Sequence, residues 1–213
     1  MAITINGTGT ITGISAGGLP DGSVTAADIE SSLDLTGKTV TLPSGTGGKV
    51  LQVQYNSTGS TGQQTHTANT DTPHSYLTVD ITPVSQTSII YVSYHLYGEW
   101  SAAGAYDGTA LLSRRVGGTH NYLKAPAGLS NQRRGLTISQ HLSFYSNDAD
   151  STPKVIALMQ YPDDHNETNQ ITYFPAINPN VGWTWYYNRT AGNANSVYHE
   201  RGVSWIMAME VEG

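Results

Sequence analysis

An all-β fold, an antiparallel β-sandwich of the jelly-roll kind behind an extended N-terminal arm with one short helix, follows from three features of this 213-residue sequence. Its 4 Trp, 13 Tyr and 2 Phe all lie from Tyr55 onward. From Ser75, runs rich in β-branched and aromatic residues recur, and Gly, Pro, Asn or Asp clusters bound nearly all of them. No part of that region carries a convincing helical period of apolar residues. Eight or nine strands of this kind pack as two layers.

Taken in order, Ile3-Thr4-Ile5 alternates as a strand does, and Asn6-Gly7 is a tight-turn signal before the pattern resumes at Thr8 to Ile11. Ala16 to Gly22 is punctuation. Thr25 fits a helix N-cap with Asp28 three residues on, and Ile29 and Leu33 stand four apart behind Val24. One short helix fits there, and because such a helix is marginal alone, three copies meeting on an axis would be stabler. After Gly37, Val40 and Leu42 alternate with threonines. Lys49 to Tyr55 reads as a strand, and Asn56 to Thr72, poor in apolar residues, as a linker or long loop. The expected strands beyond it are Tyr76 to Ile81, Ser88 to Tyr97, Thr109 to Val116, Leu136 to Tyr145, Lys154 to Tyr161, Gln170 to Phe174, Trp183 to Tyr187 and Val203 to Val211.

The expected division is therefore an arm over 1–54, a linker over 55–74 and a β-sandwich head over 75–213. The arm is Gly, Thr and Ser with lone aliphatics. Ordering it costs more conformational entropy than those side chains return on burial. It needs a partner surface, so Ile3, Ile5, Ile11, Ile14, Leu19, Ile29 and Leu33 are the expected docking and trimerisation contacts.

Net charge is −6 and charged residues make up 12% of the chain, about half the usual share. A nucleic-acid surface would need a basic stripe, and the only basic pairs are Arg114-Arg115 and Arg133-Arg134. With no cysteine there are no disulfides and no thiolate chemistry. The N-terminus lacks a basic segment followed by an apolar stretch, so neither export by an N-terminal signal nor membrane insertion is expected.

Enzyme signatures are absent: no phosphate loop opening a helix, no His-Glu-x-x-His, no Gly-x-Ser-x-Gly. No cofactor or metal is implied. Asp163-Asp164-His165-Asn166-Glu167 reads as a solvated turn, since it lacks the alternation and glycine of a calcium loop. Paired carboxylates for glycoside cleavage would have to come from Glu99, Asp107, Asp163 or Asp164, which nothing in the sequence brings together. His95 and His141 lie in strand patterns and read as satisfied structural histidines. Aromatic rings beside Asn, Asp and Arg match the apolar faces and hydroxyl rims of sugars. The candidate contact residues are Trp100, Tyr106, His120, Tyr122, Arg133, Tyr187, Asn188 and Arg189, with Trp185 and Trp205 assigned to the core or a subunit interface.

Several segments together resemble tail-fibre-like structural proteins of tailed bacteriophages, of the aquatic and cyanobacterial type. In the arm these are Gly9-Thr10-Ile11-Thr12-Gly13-Ile14-Ser15, Gly18-Leu19-Pro20-Asp21-Gly22, Gly37 to Gly45 and Gly48-Lys49-Val50-Leu51-Gln52-Val53. In the head they are Leu77 to Pro83, Ser88 to Val92 and Arg201 to Val211. The resemblance implies a virion protein: a homotrimeric fibre whose arm docks on a tail or capsid adaptor protein and whose head meets a host surface glycan or protein. Fibres of that family often carry long shafts, which this chain lacks. A capsid-decorating or head-fibre role is the alternative, and a glycan-cleaving tailspike a more distant one.

Overall fold

The computed structural model describes residues 49–101, 107–128, 132–138 and 153–213. Twelve strands are found among them and no helix: β1 (Val50–Thr58), β2 (Gly62–His66), β3 (Thr72–Pro73), β4 (Val79–Ile81), β5 (Ile89–Trp100), β6 (Thr109–Val116), β7 (Thr119–Leu123), β8 (Thr137–Ile138), β9 (Lys154–Asp164), β10 (Ile171–Asn178), β11 (Trp183–Tyr187) and β12 (Ser204–Val211). Period-two alternation explains the longest. Along β5, Ile90, Val92, Tyr94, Leu96 and Trp100 are buried while Tyr91, His95 and Tyr97 are half-exposed. In β12, Ile206 and Ala208 turn inward and Trp205, Met207 and Met209 outward.

The strands form two antiparallel sheets. One runs β1-β12-β5-β11-β2, with β9 also on β5; the other runs β3-β10-β6-β7, with β4 on β10 and β8 on β6. The core between them takes Leu77, Val79 and Ile81, the inward residues of β5 and β12, and Ala110, Leu112, Ile171, Tyr173 and Ile177 from the second sheet. The described residues all fall in one compact unit, Gly47–Gly213. The described residues thus form the all-β antiparallel sandwich that the sequence predicts, with a strand order the sequence left open.

Pro175 sits inside β10, where a proline would normally break a ladder. It is tolerated because β3 pairs only with Ala176 and Ile177 and β4 only with Ile171 to Tyr173. On that side no partner requires its missing N–H, and its carbonyl accepts the His74 N–H at 2.8 Å.

Residues 55–74, read from sequence as a linker, instead belong to the sandwich. The boundary at 54 also fails, since β1 spans it and pairs along its length with β12. Burial of apolar side chains is not what holds these segments. They are bound through backbone ladders and side-chain amides: Asn56 Nδ2 donates to the Thr78 carbonyl at 2.7 Å and Gln64 Nε2 to the Pro73 carbonyl at 2.8 Å. A strand held this way has no apolar pattern to read. The strand expected from Leu136 to Tyr145 is described only as far as Ile138, and the arm's helix and its seven docking residues lie outside the described residues.

Two buried carboxylates fix the interior. Glu210, fully buried, accepts from Ser88 Oγ at 2.5 Å, Gln52 Nε2 at 2.6 Å, and the Val84 and Ser85 N–H groups at 2.8 and 3.3 Å. Burial disfavours its charge, but these donors outweigh burial and hold the carboxyl below its ordinary value. Asp163 is 4% exposed and takes Arg114 Nη1 at 2.8 Å and the Tyr173 hydroxyl at 2.6 Å. Asp163 to Glu167 is therefore not a solvated turn. The strand β9 continues through Asp164, so alternation sends Asp163 inward, while His165 is also buried.

Gly98 is required where β5 meets β11, because a Cβ there would strike the Tyr186 carbonyl and the Trp185 indole. Gly98→Ala is expected to lower stability by about 2 kcal/mol through overpacking. Chemical denaturation measures it, and a loss near zero would mean that the Trp185 ring yields freely.

Candidate functional site

The outer face of the second sheet assembles the best-defined cluster of polar and aromatic side chains. Register places Arg115 opposite His120 and Ser113 opposite Tyr122, with Thr172 and Phe174 on the next strand. The Arg115 guanidinium lies 4.7 Å from the centre of the Phe174 ring. His120 packs on the same ring at 5.0 Å and lies nearly parallel to Tyr122, 6.1 Å away at 15°. Its Nδ1 is 2.7 Å from Ser113 Oγ. Partial burial, then the positive charge of Arg115, lowers the His120 pKa, so this imidazole is neutral at neutral pH. Burial, then Asp71, raises that of Tyr122. The result is one cation among neutral donors, acceptors and ring faces, set on a rigid sheet.

A polar network borders this cluster. Asp71 accepts Lys124 Nζ at 2.6 Å through one oxygen and Asn178 Nδ2 at 2.6 Å through the other. Arg133 donates to Asn178 Oδ1 at 2.6 Å, the Pro179 carbonyl at 2.9 Å and Asn69 Oδ1 at 2.8 Å. Beyond it lies an open groove of about 530 Å³ lined by Thr109, Ala125, Gln132, Arg133, Arg134 and Leu136 among others. Arg133 is not on a strand, and its donors are committed to tying two loops together. Expected from sequence as a contact residue, Arg133 acts here as a clamp.

The remaining candidates are separated from this face. Trp100 is 2% exposed, with its ring 5.0 Å from Trp185 and 6.1 Å from Trp183, so it is core and not contact surface. Asn188 is fully buried: its amide donates to the Thr58 and Ser60 carbonyls, both at 2.8 Å, and its oxygen accepts Ser204 Oγ at 2.6 Å. Held at φ 58°, a conformation asparagine tolerates, it is a structural staple. Tyr187 stacks on Tyr76 at 3.8 Å and 11°. Arg189 lies 4.4 Å over Tyr186 and donates to the Thr190 and Ala191 carbonyls, both at 2.9 Å, shaping its own loop. That loop encloses a second hollow of about 310 Å³ lined by Asn193, Ser196, His199 and Glu200 among others. Tyr106 lies outside the described residues.

Sequence reasoning found His120 and Tyr122 but missed Arg115 and Phe174. No local signal marks them, because only the pairing of β10 with β6 puts Phe174 beneath Arg115. Of the carboxylates considered for glycoside cleavage, Asp163 is tied to Arg114, Glu99 is 2% exposed and accepts the Ala191 N–H at 2.7 Å, and Asp164 points to the face opposite Asp163. Among the described residues, no group of three or more His, Cys, Asp and Glu side chains is placed to hold a metal ion.

The histidines expected to be satisfied are not all so. His95 Nδ1, buried, has no hydrogen-bond partner, and His141 lies outside the described residues. More unusual is the pair His66 and His74, fully exposed to neither water nor partner. Their rings are 4.8 Å apart against Trp100 and Tyr76, and all four ring nitrogens are buried without a hydrogen bond.

Fold and site together define a two-sheet β-sandwich presenting a shallow, mixed aromatic and polar face. No protein-family model matches the chain, and no curated protein matches it either.

Proposed function

We propose that this protein is a virion structural component of a tailed bacteriophage, a short homotrimeric tail fibre. Its N-terminal arm attaches to the particle, and its sandwich head binds a host surface glycan or protein without cleaving it. The observation that carries the recognition role is the face of Arg115, His120 and Tyr122, seated on the buried Phe174 ring. The half-exposed Tyr122 and His120 rings supply stacking surfaces for sugar C–H faces and Arg115 supplies donors for hydroxyls, while the buried Phe174 and Ser113 hold Arg115 and His120 from beneath. One such shallow face binds weakly. Three on a trimer, repeated around a particle, convert weak contacts into durable attachment.

Binding of the full chain to arrayed bacterial envelope glycans and to host cells is the direct test. Tyr122→Ala and Arg115→Ala are each expected to weaken binding about tenfold, since a stacking ring or anchoring arginine typically carries more than 1 kcal/mol. Binding that ignores both substitutions would remove the recognition site from this face.

The incorporation of 55–74 into the sandwich favours a second reading, a capsid-decorating or head-fibre protein with an assembly role, because it shortens any spacer between arm and head. Cryo-microscopy of particles separates the two by location, on the tail or on capsid axes.

A further inference from the structure

The first sheet has an outer face of unusual character. From β1, Val53 and Tyr55 point away from the core and are 49% and 60% exposed, whereas Gln52, Gln54 and Asn56 take the alternate side. Its polarity is thus the reverse of what an edge strand on water requires. Register sets Val53 beside Met209, Tyr55 beside Met207 and Ser57 beside Trp205. Across β12 the same rows continue as Tyr91, Ser93 and His95 of β5. On the far side Val155, opposite Tyr97, and Met159 are 47% and 79% exposed.

A stack of rings crosses this face. Trp205 lies 6.4 Å from Tyr55 on one side and 5.9 Å from His95, at 4°, on the other. Every methionine after the first residue lies on it, and methionine is the side chain that best adapts to a second apolar surface. In the rows from Val53 to Val155 no residue is charged. Four strands about 4.8 Å apart and seven residues at about 3.3 Å each give roughly 440 Å², within the range of the largest apolar patches on monomers and about half of what one partner contributes to a standard interface.

We propose that this face of the β1-β12-β5-β9 layer is the contact between copies of this chain. It rests on the homo-oligomeric part of the reading above and adds the surface that would make it. These rows offer no charge to an ionic partner, the nearest on the face being Asp164 at the end of β9, so their complement is another uncharged apolar surface. The chain carries net charge −6, and copies meeting elsewhere would bring like charges together. On the second sheet's outer face Arg115 and the Lys124–Asp71 pair interrupt any apolar patch. The face that binds copies and the face proposed to bind glycan therefore lie on opposite sides of the sandwich, and both can be occupied at once.

Sedimentation of the full chain across the micromolar range, alone and with Tyr55→Lys plus Val155→Lys, tests this. Both side chains are about half exposed or more, so the fold should survive, and a thermal melt checks that it does. Wild type is expected to form one defined oligomer that the double substitution weakens by about a hundredfold or more. Peroxide should oxidise Met159 several-fold more slowly in the wild-type oligomer than in the substituted chain, and Met207 and Met209 likewise. An oligomer that keeps its size in the variant, with Met159 oxidised at the free rate, overturns this interface but leaves a trimer formed elsewhere. A wild-type monomer overturns both. A polydisperse aggregate overturns the interface, as does a monomer whose Met159 is protected only by other particle proteins, which would assign the face to one of them.

Discussion

Acidification from pH 7 to pH 4.5 is expected to cost the sandwich about 2–3 kcal/mol through His66 alone. Burial lowers the pKa of His66 to about 4. His74 is pushed well below its ordinary value by burial and then by its neighbour His66. Both rings are therefore neutral when folded, while in the unfolded chain they take up protons below about pH 6.5. A depressed folded pKa makes the unfolded state the better proton binder, so the stabilisation is complete above pH 6.5 and is lost as pH falls towards 4. Glu210, whose pKa is lowered as well, contributes its own loss only below the ordinary carboxylate range near pH 4. The window from 6.5 to 4.5 thus isolates the histidines. Urea denaturation at several pH values measures the slope, and His66→Leu with His74→Leu should flatten it. An unchanged decline in that double variant would place the acid sensitivity elsewhere.

The second large effect is expected at Asp163. Asp163→Ala removes the acceptor for both Arg114 and the Tyr173 hydroxyl and leaves a guanidinium only 16% exposed without its carboxylate. The expected loss is about 3–5 kcal/mol, mostly the penalty of stranding a partly buried charge. Asp163→Asn should cost less, since an amide oxygen still accepts one of the two bonds. Arg114→Leu combined with Asp163→Leu should recover much of the loss, because replacing a buried pair by apolar side chains is often nearly neutral. Equal losses for the alanine and double-leucine variants would show that the pair itself, and not the stranded partner, carries the stability.

The two sites differ in how far they could be read from sequence. Thr109 to Val116 and Trp183 to Tyr187 were bounded correctly because β-branched and aromatic runs end there at glycine or asparagine. The strands β2 and β7 escaped notice, since Gly62-Gln63-Gln64-Thr65 and Thr119-His120-Asn121 hold their places by ladder bonds at sheet margins and bury little. Trp100 and Trp185 carry the same local signal as an exposed binding ring, and burial under both sheets is a property of packing that no neighbouring residue announces. Asp163 hid between Pro162 and four further polar residues, Asp164 to Glu167. The alternation of Ile156 and Leu158 with Tyr161 and Asp163 after the irregularity near Gln160 would have indicated its inward direction. Arg115 over Phe174 depends on partners nearly sixty positions apart, and only register supplies it.

The pairing of β1 with β12 has a consequence in time. A ribosome delivers Val50–Thr58 long before Ser204–Val211, the strand that joins β1 to β5. At about 5–20 residues per second, that interval lasts roughly 10–30 s. Throughout it the aromatic half of the nascent chain waits with an open edge along β5, and closure couples residues at opposite ends of the domain, the kind of contact that forms slowly. Crowding of newly made copies would then be most dangerous during those seconds, before the last strand is inserted.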